Sequence, residues 1–369
     1  MTMKLSISRD QLLKPLQQVS GVVEKRQTLP VLANVLLVVD AGKLALTGTD
    51  LEVELIARAD LAGEFGDGEI TVPARKLLDI CKSLPASAEI ELKLDAQKLS
   101  LKSGKSRFTL TTLPANEFPN LEEGVGAFSF TINQKALKKL IDKTAFAMAQ
   151  QDVRYYLNGM LFEVTEGRLR TVATDGHRLA MCDAPARTES NDRMQVIVPR
   201  KGVHELARLL TDDDGEVTIT LGTNHVRATV GNVTFTSKLI DGKFPDYERV
   251  LPKGGDKVVL ANREELRQSL SRASILSNEK YRGIRLQLTP DLLRIQANNP
   301  DQEEAEDDVT VEYNGGSLEI GFNVQYLLDV LGVLETATAK VILGDANSSA
   351  LMQDADNGSA LYVVMPMRL

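Results

Sequence analysis

The chain has 369 residues, with 43 Lys and Arg against 51 Asp and Glu for a net charge of -8. That length calls for several domains, and 43% hydrophobic with 25% charged residues excludes wholesale disorder. No apolar run nears the roughly 18 residues of a membrane helix. Met1 to Asp10 lacks the apolar stretch of a signal peptide, and the distant Cys81 and Cys182 form neither a disulfide framework nor a zinc motif.

In chain order, Ser8-x-x-Gln11 reads as a capping box opening a helix. Strands with period-2 alternation follow, such as Val53 and Leu55 between Glu52 and Glu54. The run Gly42-Lys-Leu-Ala-Leu-Thr-Gly-Thr-Asp50 returns as Gly167-Arg-Leu-Arg-Thr-Val-Ala-Thr-Asp175 and, weaker, as Leu292-Leu-Arg-Ile-Gln-Ala-Asn-Asn299, at steps of 125 and 124 residues. Ile70-Thr-Val-Pro-Ala-Arg-Lys76 recurs as Val196-Ile-Val-Pro-Arg-Lys201 and Leu318-Glu-Ile-Gly-Phe-Asn323, and Phe118-Pro119 as Phe244-Pro245. One period of about 125 residues marks three internal repeats.

Each repeat runs strand, helix, three strands, and then the same again. Asn133 and Asn262-x-x-Glu265 supply the later helix starts, and second helices begin near Pro73, Pro199 and Asn323. Alternating triplets close the repeats, as in Val217/Ile219/Leu221, Val226/Ala228/Val230 and Val233/Phe235. The fold class is therefore α+β with antiparallel sheets, in three similar domains at 1–127, 128–252 and 253–369.

The charge divides unevenly, at -2, +1 and -7 over these thirds. Six acids crowd into Asp301-Gln-Glu-Glu-Ala-Glu-Asp-Asp308, which is either a solvated loop or an acidic strand edge awaiting a basic one. Helices carry the opposite sign: Lys135, Lys139 and Lys143 with Lys138 in one, Arg75, Lys76 and Lys82 in another, Arg200, Lys201 and Arg208 in a third, and Arg263, Arg267 and Arg272 in a fourth. Basic faces on corresponding helices point to one shared polyanion.

Catalytic chemistry is hard to find. Gly104-Lys105-Ser106 lacks the earlier glycine of a phosphate loop and reads as a hairpin turn, and Asp212 to Gly215 lacks calcium-loop spacing. Asp175 with His177 is the best general-base pair, yet no nucleophile or metal partner accompanies it. No cofactor or metal is called for. The C-terminal Leu361-Tyr-Val-Val-Met-Pro-Met-Arg-Leu369 is either a plain core strand or part of an apolar partner groove, and Pro366 is expected to end its pairing and leave Met367 to Leu369 outside the sheet.

The runs Thr47-Gly-Thr-Asp-Leu-Glu52, Gln151-Asp-Val-Arg-Tyr-Tyr-Leu-Asn-Gly-Met160, Thr174-Asp-Gly-His-Arg-Leu179, Phe244-Pro-Asp-Tyr247, Ile275-Leu-Ser-Asn-Glu-Lys280 and Val363-Val-Met-Pro-Met-Arg-Leu369 closely resemble the bacterial sliding-clamp family, the beta subunits of DNA polymerase III. The resemblance spans the whole chain. It implies the DNA clamp fold, with two chains joined head to tail as a ring around duplex DNA, held topologically and without sequence preference. Twelve helices of about 10 Å would line a hole roughly 38 Å across.

Arg26, Gln151, Arg154, Tyr155 and Tyr156 match family positions of DNA contact. With the basic helix residues Arg75, Lys76, Lys139, Lys143, Arg200 and Lys201 they make the expected DNA-binding set. The implied partner-peptide groove comprises Leu157, Thr174, Gly176, His177, Arg178, Leu179, Pro245, Arg249, Val250, Asn323, Tyr326, Val363, Met365, Pro366, Met367 and Arg368. It would take short motifs of the replicative polymerase alpha subunit, the clamp loader, other polymerases and repair proteins. The homodimer contact would use Phe108, Ile275 and Leu276, with Lys105 and Arg107 facing Glu303, Glu304 and Glu306. The expected setting is the cytoplasm, at the nucleoid, as a processivity factor of DNA replication and not an enzyme.

Overall fold

A computed structural model describes residues 3–23, 29–121, 126, 128–188, 192–356 and 358–368. Its α-helices are α1 (Arg9–Val19), α2 (Ala74–Ser83), α3 (Gln134–Thr144), α4 (Arg200–Leu209), α5 (Arg263–Ser274) and α6 (Val324–Val333). All strand pairing among the described residues is antiparallel, as the alternation predicts.

The helix starts follow from capping. Ser8 makes both bonds of the capping box with Gln11. Asn133 accepts from the Ala136 N–H at 3.1 Å, whereas Asn262 makes only the forward bond, from the Glu265 N–H at 3.0 Å. The alternating triplets bury one face: Val217, Ile219, Val226, Ala228 and Phe235 are fully enclosed. The segment around Lys105 is a two-residue turn in which Ser103 pairs Ser106 and Gly104 takes φ +55°.

The chain forms two compact units: Met1–Lys138 with Ala186–Ser190 and Lys201–Leu239, and Lys139–Pro185 with Asn191–Arg200 and Ile240–Leu369. The middle repeat is divided because its two sheets are continued by different repeats. In the first unit a nine-stranded sheet joins Val233–Lys238 of the middle repeat to Val53–Asp60 of the first, from Val233↔Ala57 to Ser237↔Val53. A five-stranded sheet in the same unit ends on Ser106–Thr111, whose outer edge is open. In the second unit a twelve-stranded sheet joins Arg178–Pro185 of the middle repeat to Ala360–Val364 of the last, from Arg178↔Val364 to Cys182↔Ala360. Corresponding strands thus meet in corresponding register at both junctions.

The acidic octet resolves into a strand edge. Glu304–Glu312 is a strand that pairs Leu292–Asn298 along its length, and among the described residues its other side is bonded only at Val311 and Glu312. Cys81 and Cys182 are both free and buried. Pro366 behaves differently from the expectation: the last strand stops at Val364, but Met367 returns to bridge Gly321, its N–H donating to the Gly321 carbonyl at 2.8 Å.

One buried charge ties α3 to the end of α6. Lys143 is only 5% exposed and donates to the Val333 carbonyl at the end of α6, where a cation complements the helix dipole. Its Nζ lies 3.3 Å from Glu335 and 4.0 Å from Asp354. Burial pushes the Asp354 carboxyl up, but the Thr336 and Glu335 N–H groups, the Thr336 hydroxyl and Lys143 hold it below the ordinary range. A lowered folded-state pKa contributes stability above the unfolded value and loses it as pH falls through the folded one. Lys143→Met therefore costs about 3 kcal/mol at neutral pH, and the deficit shrinks below about pH 4. Urea unfolding across that range checks this, and a pH-independent deficit contradicts it.

Candidate partner groove and nucleic-acid interface

In the second unit the strands Arg178–Pro185 and Ala360–Val364 carry an apolar cluster. Leu161, Val172, Leu179, Ile197, Phe244, Tyr247 and Val363 are its buried members, with Tyr156, Met181, Ile240, Val250, Leu251, Leu351 and Leu361 partly exposed against it. The cluster brings together Leu179 and Val363, both buried, with the partly exposed Val250 of the expected groove.

The turn Thr174-Asp-Gly-His-Arg178 frames one side. The Gly176 N–H donates to the Thr174 hydroxyl, which donates to the Arg178 carbonyl, while Asp175 accepts the His177 and Arg178 N–H groups at 2.9 and 3.1 Å. Gly176 has φ +89°, and a Cβ there would lie 2.8 Å from the Arg154 guanidinium. The backbone angle favours glycine, while the mobile end of the Arg154 side chain could shift to admit a Cβ. The Asp175 carboxylate binds the Arg178 guanidinium at 3.1 Å, and no hydrogen bond joins it to the His177 ring among the described residues. The general-base arrangement is therefore absent from this turn.

Arg178 is the hub. Its guanidinium pairs Asp329, donates to the Phe146 carbonyl at 2.9 Å and lies 4.6 Å from the Tyr326 ring centroid and 5.2 Å from that of Phe146. Tyr326 also stacks on His177, with centroids 6.3 Å apart and planes at 18°. The Met365 N–H donates to the His177 carbonyl at 2.9 Å, which anchors the tail segment Met365, Pro366 and Met367, all partly exposed, beside this stack. Asn323 caps α6 by accepting the Gln325 N–H. Leu157 is buried, whereas Pro245, Arg249 and Arg368 are exposed.

The sequence missed the polar support below. The Tyr247 hydroxyl donates to Glu163 at 3.0 Å and accepts from Arg170 at 3.1 Å, and Arg170 forks onto Asp183. Burial raises the Glu163 carboxyl, but Arg193, Gln195 and Tyr247 hold it below its ordinary value. Arg168 and Arg170 alternate with Leu169 in the repeated run, which was the only available signal.

The basic set is less uniform than expected. Arg75 and Lys76 on α2 are exposed and make no ion pair among the described residues. Lys139 is exposed but lies 2.8 Å from Glu335. Lys143 is corrected outright as a surface residue. Eight positions after Lys135 it has turned about 80° from that face, so the exposed stripe of α3 runs Lys135, Lys139, Asp142 instead. Arg200 is half-buried and donates to the Met148 carbonyl, and Lys201 sits 2.5 Å from Asp50. No basic residue lies on α6. Gln151 is exposed at φ +56°, Arg154 forks onto Asp152 and holds its carboxyl down to about 2, and Tyr155 is 58% exposed. Tyr156 packs on the apolar cluster rather than standing free. Arg26 lies outside the described residues.

Of the expected dimer residues, Lys105 and Arg107 are exposed and Phe108 half-buried on the open edge strand of the first unit. In the second unit Ile275 is 76% exposed, Leu276 partly so, and Glu304 and Glu306 lie on the acidic strand, while Glu303 accepts from Asn299 just before it. No helix among the described residues is long and apolar enough to cross a membrane.

Three repeats, each with two helices and antiparallel sheets, define a DNA clamp fold. Family models for the DNA polymerase III beta subunit match residues 3–122 (N-terminal domain), 131–246 (central domain) and 248–368 (C-terminal domain). The chain is 67% identical to the beta sliding clamp of Pseudomonas aeruginosa and 54% identical to that of Escherichia coli K12, with all of both chains covered. It superposes on a crystal structure of the DNA polymerase sliding clamp from Pseudomonas aeruginosa with TM-score 0.98, at 67% identity and full coverage of both. A clamp from Bartonella birtlesii bound to griselimycin gives 0.95 at 41% identity, again over all of both chains. The chain belongs to the DNA polymerase III beta subunit family, the beta sliding clamps, which makes it a non-catalytic processivity factor.

The Arg178 hub carries a testable consequence. Arg178→Met leaves Asp175 and Asp329 without their shared cation, so hydrogen exchange at His177 and Met365 accelerates about tenfold or more. Exchange mass spectrometry reads this directly, and unchanged protection of both segments contradicts it.

Proposed function

We propose that two copies of this chain close a ring around duplex DNA, as three clamp domains each at residues 1–127, 128–252 and 253–369. The supporting observation is the strand junction made twice within the chain: Phe235 opposite Leu55, and Tyr362 opposite Ala180. A third copy of that junction requires the remaining counterparts of those strands, Ser106–Thr111 and Glu304–Glu312, each with an edge largely unpaired among the described residues. Carrying the register across sets Phe108 opposite Ala305, Arg107 opposite Glu306 and Ser106 opposite Asp307 in the partner chain. Lys105 and Arg107 then face Glu303, Glu304 and Glu306, and exposed Ile275 with Leu276 supplies apolar contact. Closure satisfies two strand edges per chain that would otherwise invite aggregation.

The DNA is held through phosphates, without base readout, by Arg75, Lys76, Lys139 and the segment Gln151, Arg154 and Tyr155. Arg26, Arg200 and Lys201 belong to the same proposed set. Lys143 contributes only by fixing the helix that carries Lys139. The apolar groove takes short peptide motifs of the polymerase alpha subunit, the clamp loader, other polymerases and repair proteins. Its built-in Met365 and Met367 suit several partners. The working setting is the cytoplasm, at the nucleoid.

Retention on DNA tests the topology. The loaded protein stays on a nicked circular plasmid and leaves after a single linearising cut; equal retention on both rejects the ring. Ile275→Ala with Leu276→Ala yields monomers in sedimentation velocity, and an unchanged dimer mass rejects the interface. Tyr326→Ala weakens binding of an apolar tail peptide by about tenfold while leaving the dimer intact.

A further inference from the structure

The internal junction of the first unit has its own concavity, of about 490 Å³, lined by Thr47, Glu54, Ile56, Arg58, Leu121 and Arg227 among others. It occupies the place in the repeat that the apolar groove occupies at the other junction. The correspondence can be read from strand pairing. In the apolar groove one row across three strands is Leu179–Val363–Leu351. In the first unit the same row is Glu54–Thr236–Arg227. By the same repeat steps Thr47 stands for Val172, Ile56 for Met181 and Leu121 for Tyr247.

The backbone shape is retained and the chemistry changed. Glu54 is 5% exposed and accepts the Leu121 N–H at 3.3 Å, so a carboxylate lines the floor where the apolar groove has Leu179. An apolar peptide side chain seated there would bury that carboxylate further from water, which is costly. The rim is cationic: Arg58 donates to the Thr234 hydroxyl at 2.9 Å and Arg227 to the Thr236 hydroxyl at 3.4 Å. Neither guanidinium has a carboxylate partner among the described residues, and each keeps donors for one. Arg58 lies four residues along its strand from Glu54, and Arg227 two strands across from it. The two are about 17 Å apart at the backbone, the span of about five extended residues.

We propose that this junction is a second docking site, for an extended acidic segment of a partner protein, with Arg58 and Arg227 each gripping a carboxylate and Ile56 and Leu121 taking one apolar side chain between them. Two forks spaced along a shallow strand face suit side-chain carboxylates on an extended peptide. A DNA duplex, roughly twice the depth of its own grooves in width, does not enter such a cleft. Because Arg227 stands in the row where the other junction has Leu351, the two junctions of one chain select different peptides.

Fluorescence anisotropy with the full-length protein tests this. The probe is a labelled heptapeptide, Gly-Glu-Ser-Leu-Ser-Glu-Gly, run beside an apolar tail peptide and a short duplex DNA. Arg58→Ala with Arg227→Ala weakens the acidic peptide about tenfold or more and leaves the apolar peptide unchanged. Tyr326→Ala does the reverse. The arginines are at the surface, so an unchanged thermal midpoint verifies the fold of the double variant. The proposal is overturned if the double variant binds the acidic peptide as well as the parent, if serine in place of both glutamates makes no difference, or if the parent does not bind it at all. It is equally overturned if the double substitution weakens only the duplex. The apolar peptide shows separately whether the other groove works.

Discussion

An antiparallel sheet leaves a row of unpaired N–H and C=O groups at each open edge, and those groups must find partners. In this chain the constraint is met by joining repeats edge to edge. Val233–Lys238 extends a sheet begun by Val53–Asp60, and Ala360–Val364 extends one begun by Arg178–Pro185. The middle repeat is thereby shared between two compact units. Each junction's register is set by the buried face, where Phe235 meets Leu55 and Tyr362 meets Ala180, while the side chains on the opposite face are free to diversify. The apolar groove and the polar cleft are two outcomes of that freedom on one scaffold.

Charge in this protein is mostly balanced locally. The net -8 hides pairs such as Arg272 with Asp307, Arg294 with Asp308 and Lys139 with Glu335. Most are exposed and contribute little to stability individually. The exceptions are enclosed. Lys143 sits against Glu335 and Asp354, and Arg178 is held among Asp175, Asp329, Phe146 and Tyr326. Both are positioned by groups from at least two other segments, so each acts as a tie between elements far apart in sequence. Arg75 and Lys76 are exposed and carry no such pairing among the described residues.

Much of this architecture is legible in the order of residues alone. The 125-residue step sets Asp50 beside Asp175 in the same turn chemistry: each carboxylate caps a two- or three-residue Asx turn, with Glu52 and Val53 in one copy and His177 and Arg178 in the other. The helix caps at Ser8, Asn133 and Asn262, the hairpin at Gly104 and the strand alternation all follow from spacing. These features depend on interactions within a few residues. Of the groove, only those residues matching the family runs are legible; Phe146, Glu163 and Arg170 are not, since nothing near them in sequence marks their role.

The sequence alone determined the repeat, the α+β class and the sign of charge on each helix, because periodicity and capping are local. Tertiary structure decided which charges face solvent. Lys143 follows Lys135 and Lys139 in spacing, yet the 3.6-residue turn carries it inward to the end of α6 and a buried carboxylate. It also decided what each junction became. Glu54 and Leu179 occupy the same position in their repeats, and the strands and loops brought beside them complete one polar floor and one apolar floor. Such pairings join residues more than a hundred positions apart, and no local pattern encodes them.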